Sequence, residues 1–92
     1  MKILIEFYLP FREIIGVKKI ELEIEEKITI TLRELLKKII TRYPALLKLF
    51  STDNIEIIYQ NITVLKSGNL LLPEAVLTDG DIIKIFSPMS GG

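Results

Sequence analysis

The sequence contains no cysteine, no histidine and no tryptophan. Without thiols and imidazoles there are no disulfides, no thiolate nucleophile, no Cys/His zinc site and no imidazole acid–base catalyst. Carboxylates alone can hold a metal, but no loop gathers Asp and Glu at ligand spacing, and no metal site is predicted. An excess of one charge is also lacking, since twelve basic residues balance twelve acidic ones. A nucleic-acid surface needs a basic excess on one face, so no nucleic-acid partner is expected. No apolar run approaches the roughly 18 residues of a membrane span, and no membrane partner is expected. Strand-like alternation starts at once at the N-terminus, which predicts no signal peptide and places the protein in the cytoplasm. The phosphate-binding P-loop, the dinucleotide fingerprint and the nucleophile elbow are all missing. What remains is 92 residues, 49% of them hydrophobic, enough for one small core.

The chain divides by periodicity. Residues 2–8 read as a strand, with Ile3, Ile5 and Phe7 alternating against Leu4, Glu6 and Tyr8. Pro10 ends it and Gly16 marks a turn, so residues 11–16 read as a loop. Residues 17–25 alternate more cleanly, with Ile20, Leu22 and Ile24 on one face and Lys19, Glu21, Glu23 and Glu25 on the other. That is a strand with one buried and one wet face, pairing with the first as a hairpin.

A helix start follows. Thr31 and Glu34 fit a capping box, and Ile30 and Leu35 fit the hydrophobic staple around it. Leu32, Leu35, Leu36, Ile39, Ile40 and Tyr43 then recur as one stripe of a 3.6-residue helix. Pro44 stops it, because the residue before a proline is pushed out of the α region. Residues 45–50 add a short helical turn. Residues 55–60, rich in isoleucine and ending Tyr-Gln, read as a strand, and residues 62–65 as another short one. Ser67-Gly68-Asn69 and Asp79-Gly80 are turn signals on either side of an irregular segment holding Pro73. Residues 81–87 form the last strand.

Few groups offer chemistry. Asp79 and Asp81 are close enough for general acid–base work, but Asp and Gly are what a turn demands, and the pair reads as a turn. Lys37, Lys38, Arg42 and Lys48 can bind phosphate or an acidic partner; they also suit the wet face of a helix whose C-terminal end favours cations. Phe7, Tyr43 and Phe50 read as core. Phe86 differs. With Ile83 and Ile85 inward, Phe86 points outward just before the terminus, which suggests a docking anchor; partial burial under a neighbouring loop is the alternative.

The chain ends Pro88-Met89-Ser90-Gly91-Gly92. Glycine has no Cβ, so a Gly-Gly end is the thinnest peptide available and enters channels closed to other residues. The six residues after Phe86, extended, reach roughly 20 Å. A terminal carboxylate ordinarily titrates at about pH 3.5, so it is ionised at neutral pH and can attack the α-phosphate of ATP inside a partner enzyme. An inert terminus that happens to end in two glycines is the other reading of the dipeptide alone.

Residues 77–92, Leu-Thr-Asp-Gly-Asp-Ile-Ile-Lys-Ile-Phe-Ser-Pro-Met-Ser-Gly-Gly, join an acidic-glycine-acidic turn to a last strand, a proline and Gly-Gly. Phe11-Arg12-Glu13-Ile14-Ile15-Gly16 supplies an Arg-Glu-apolar-apolar-Gly segment after the first strand. With this strand order, the chain resembles the MoaD/ThiS family of ubiquitin-like β-grasp sulfur carriers over nearly its whole length. The ending Ser-Pro-Met-Ser-Gly-Gly is most similar to the branch that forms the small subunit of molybdopterin synthase. Three features depart from the family pattern: Ser87-Pro88 replaces a proline pair, Tyr59-Gln60-Asn61 replaces a glycine-containing turn, and the outer faces carry many charges and isoleucines of their own.

The resemblance implies an α+β, β-grasp fold, a mixed curled sheet of four to five strands over one main helix. Residues 1–87 form that domain and residues 88–92 a flexible tail. It implies that the chain is not an enzyme by itself and binds no cofactor. Instead, a MoeB-like adenylating enzyme uses ATP and magnesium to activate the Gly92 carboxylate, which becomes a thiocarboxylate. Gly91 keeps the tail slim, and Phe86, Pro88, Met89 and Ser90 contact partners. The large, MoaE-like synthase subunit then receives the sulfur for molybdopterin. A tRNA-thiolation carrier or a ubiquitin-like protein modifier would use the same tail, and a binding module with an inert tail is the reading from another class.

Overall fold

The computed structural model describes residues 1–25 and 29–88. Along the chain run β1 (Lys2–Phe7), α1 (Phe11–Ile15), β2 (Lys19–Glu23), β3 (Thr29–Thr31), α2 (Leu32–Arg42) and α3 (Ala45–Phe50). Then come α4 (Ile55–Gln60), β4 (Thr63–Lys66), β5 (Asn69–Leu70), β6 (Val76–Thr78) and β7 (Ile82–Phe86). Five strands form a mixed sheet in the order β2-β1-β7-β4-β5, and β3 and β6 form a separate two-stranded sheet. The first and last strands lie side by side and parallel at the centre, with Ile5 opposite Ile83 and Phe7 opposite Ile85. The flanking pairs are antiparallel.

Alternation decides what this sheet buries. Ile3, Ile5 and Phe7 of β1, Ile20 and Leu22 of β2, Val64 of β4 and Ile83 and Ile85 of β7 all point to one face and are buried. Helix α2 covers that face with Leu32, Leu35, Leu36, Ile39 and Ile40, also buried. The α2 start is the one its sequence announces. The Thr31 hydroxyl accepts from the Glu34 amide at 3.2 Å, and the Glu34 carboxylate accepts from the Thr31 amide at 3.0 Å.

Three segments differ from their sequence reading. Residues 55–60 are a helix, not a strand. The Asn54 side chain accepts from the amides of Glu56 and Ile57, capping the turn, and Ile55 and Ile58 are buried three residues apart on one side. Exposed Glu56 meets Arg33 of α2 at 2.6 Å. The cap and the one-sided burial outweigh the β-propensity of isoleucine. Residues 11–15 are a short helix rather than a loop. Gly16 closes it at φ 89°, a left-handed conformation that glycine adopts without strain, and Phe11 drops into the core. Finally, β3 precedes α2 directly and pairs with β6 at the end of the segment read as irregular, with Ile30 opposite Leu77 and both buried.

The Asp79 and Asp81 carboxylates are structural. Asp79 accepts from the Lys2 amide at 2.7 Å, tying the turn to the start of β1. Asp81 accepts from the Thr78 amide and the Lys66 ammonium, both at 2.9 Å. Burial pushes the Asp81 carboxyl up, but the Thr78 amide and Lys66 together hold it below the usual carboxylate range. Lys37, Lys38, Arg42 and Lys48 are exposed on the α2–α3 surface, as a solvated helix face would have them. Phe7 is core, and Tyr43 and Phe50 pack half-buried against it.

Candidate functional site

The site is the end of β7. Because β7 runs parallel to β1 in the middle of the sheet, the chain leaves the domain at its centre and not from a frayed edge. The ladder continues one residue past β1, where the Tyr8 amide donates to the Ile85 carbonyl at 3.0 Å. Tyr8 thereby lies beside Phe86 on the outer face of the sheet. Their rings stack with centroids 4.2 Å apart and planes 14° from parallel. The Tyr8 hydroxyl donates to Glu6 at 3.3 Å. On the same face Leu4 is half-buried, Ile82 is exposed, and Glu6 lies between Lys19 and Lys84.

Phe86 points outward, as its parity predicts, but it is half-buried, with one ring face against Tyr8. The cover comes from the neighbouring strand end. Sequence reasoning missed Tyr8 as its partner. Its outward parity was legible in the alternation of residues 2–8, but its place beside Phe86 depends on the parallel register of two strands some seventy-five residues apart. Ser87 and Pro88 are exposed. Met89, Ser90, Gly91 and Gly92 lie outside the described residues.

Among the described residues no group of three or more His, Cys, Asp or Glu side chains could hold a metal ion. No helix there is long and apolar enough to cross a membrane. Every buried side-chain nitrogen or oxygen described has a hydrogen-bond partner. At the end of β7 the described side chains are the stacked pair Tyr8 and Phe86 and the exposed Ser87 and Pro88. They offer contacts to a partner and a point of departure for the tail.

No curated protein matches the sequence. Among solved structures, SAMP1 (small archaeal modifier protein 1) of Haloferax volcanii is 23% identical with a TM-score of 0.81, each chain covering all of the other. A protein assigned as molybdopterin converting factor, subunit 1, of Pyrococcus furiosus is 22% identical with a TM-score of 0.74, covering 97% of this chain and 99% of its own. The complex of subunits 1 and 2 of the molybdopterin-converting factor of Helicobacter pylori matches over all of both chains, at 19% identity and a TM-score of 0.52. These likenesses establish the ubiquitin-like β-grasp fold, here with the short helices α1, α3 and α4 beside the main helix α2. The model of the ThiS family matches residues 5–92, from within β1 to the terminal glycine, and the chain belongs to that family.

Proposed function

We propose that this chain is the sulfur-carrying small subunit of a molybdopterin synthase. The observation that carries the reading is a Gly-Gly terminus six residues beyond the central parallel strand of a ThiS-family domain. In this reading the ionised Gly92 carboxylate attacks the α-phosphorus of magnesium-bound ATP in a MoeB-like enzyme. The α–β phosphoanhydride bond breaks, pyrophosphate leaves, and an acyl-adenylate remains. Hydrosulfide then attacks the acyl carbon, the carbon–oxygen bond to AMP breaks, AMP leaves, and the carboxylate has become a thiocarboxylate. The tail next enters a MoaE-like large subunit and donates its sulfur to the pterin precursor in the cytoplasm. That a neighbour in fold was solved as a complex of converting-factor subunits 1 and 2 supports the second partner.

The deciding assay supplies thiocarboxylated protein to the large subunit with its precursor; molybdopterin should form. A second reading is favoured by the likeness to SAMP1: the chain is a protein modifier, and the same adenylate is passed to lysine amines. Conjugates on lysines, with no molybdopterin formed in that assay, would select it.

Phe86 is the anchor in this reading, presented by Tyr8 rather than standing free. Phe86→Ala removes a stacked aromatic pair worth about 0.5–1.5 kcal/mol beyond its buried area, so the fold should survive. Affinity for the partner, measured by calorimetry, should fall. A collapse of stability with unchanged affinity per folded molecule would make Phe86 a core residue only.

A further inference from the structure

Ser87 and Pro88 form one wall of an open hollow on the helix side of the sheet, away from the Tyr8–Phe86 stack. Buried Phe11 of α1 and half-buried Phe50 of α3, with rings 5.9 Å apart, line it. Leu49 of α3 stands at its edge, 43% exposed. Asn61 also lines it, but its amide already donates to the Ile57 carbonyl at 2.8 Å. What is left for a visitor is mainly apolar wall.

We infer that this hollow is a docking point for the adenylating enzyme, receiving an apolar side chain from the rim of that enzyme's active site as the tail enters. The inference rests on reading the tail as an adenylated carrier, and distance carries it. Only four residues follow Pro88, and fully extended they reach roughly 13–14 Å. An enzyme that holds the Gly92 carboxylate against ATP therefore brings its own rim against Ser87 and Pro88, and those residues are the wall of the hollow. The aromatic stack and the hollow thus flank the end of β7 from opposite layers.

The test is ATP–pyrophosphate exchange by the purified adenylating enzyme with MgATP, titrated with the full chain and with Leu49→Glu. A charge at the rim should raise KM for the carrier about tenfold, the scale of losing a moderate interface contact, with kcat unchanged. Leu49→Met, which keeps the rim apolar, should retain the original KM. Leu72→Glu is the control, since Leu72 is 61% exposed and does not line the hollow. If Leu49→Glu fails to fold by circular dichroism, Leu49→Ser carries the same test. Exchange by the wild-type chain with an unaltered KM for the Leu49 variant overturns the inference and leaves the carrier reading standing. A lower KM means the hollow holds this chain's own Met89, and a change of elution volume on gel filtration means it holds a second copy; either overturns the inference. No exchange by the wild-type chain sinks the carrier reading and the inference together.

Discussion

Deleting Gly92 should abolish ATP–pyrophosphate exchange by the adenylating enzyme and leave the folding stability unchanged. The reacting group of a carrier is a main-chain carboxylate, and removing one residue draws it back by roughly 3.3–3.6 Å. Attack on phosphorus needs the reacting atoms about 3–3.5 Å apart and aligned, so a retreat of that size takes the nucleophile out of range. The fold should not notice, because the sheet ladder involving β7 ends at Phe86 and, among the described residues, the buried core runs from Ile3 to Ile85. Gly91→Ala should also fold normally, while its added methyl and narrower φ range hinder threading. Full exchange by the Gly92-deleted protein would remove the basis for the carrier and modifier readings alike. It would leave a binding module with an inert tail.

Replacing Ile39 by Ala should cost about 2–5 kcal/mol of stability. Ile39 is 2% exposed, in the middle of the buried stripe of α2. It borders a small apolar void together with Phe7, Ile58 and Ile85, so truncation enlarges a gap where atoms from the sheet and all four helices already meet imperfectly. For a domain whose whole stability is about 5–15 kcal/mol, a loss of this size is a large share of the total. Urea unfolding, with the midpoint shifting at constant slope, measures it. A loss below about 0.5 kcal/mol, the range of a surface substitution, would mean that α2 turns another face to the sheet.

The elements that speak for themselves in the sequence are those whose local signals agree with their tertiary surroundings. Thr31 and Glu34 predict a capping box and form one. Ile20, Leu22 and Ile24 alternate with charges and are buried, while the charged neighbours Lys19, Glu21, Glu23 and Glu25 are exposed. Residues 55–60 mislead because isoleucine and tyrosine favour strands in general, and the signal that decides is one residue upstream, where Asn54 can cap. The β3–β6 pair is invisible in the sequence because each strand has only three residues, too few for alternation to register, and their partnership spans the whole of α2. The site is legible in part. The parity of Phe86 and the Gly-Gly ending are one-dimensional facts. The Tyr8 stack and the hollow beside Pro88 are made by the parallel pairing of the first and last strands and by the packing of α1 on α3, which no local pattern encodes.

The most direct test of the carrier role is the intact mass of the protein after incubation with the adenylating enzyme, MgATP and a sulfur donor. The whole chain should gain the mass difference between one sulfur and one oxygen atom. After tryptic digestion, the shift should sit on the peptide that follows Lys84, the last basic residue, and be lost when Gly92 is deleted. An unchanged mass, or a shift carried by any other peptide, would contradict it.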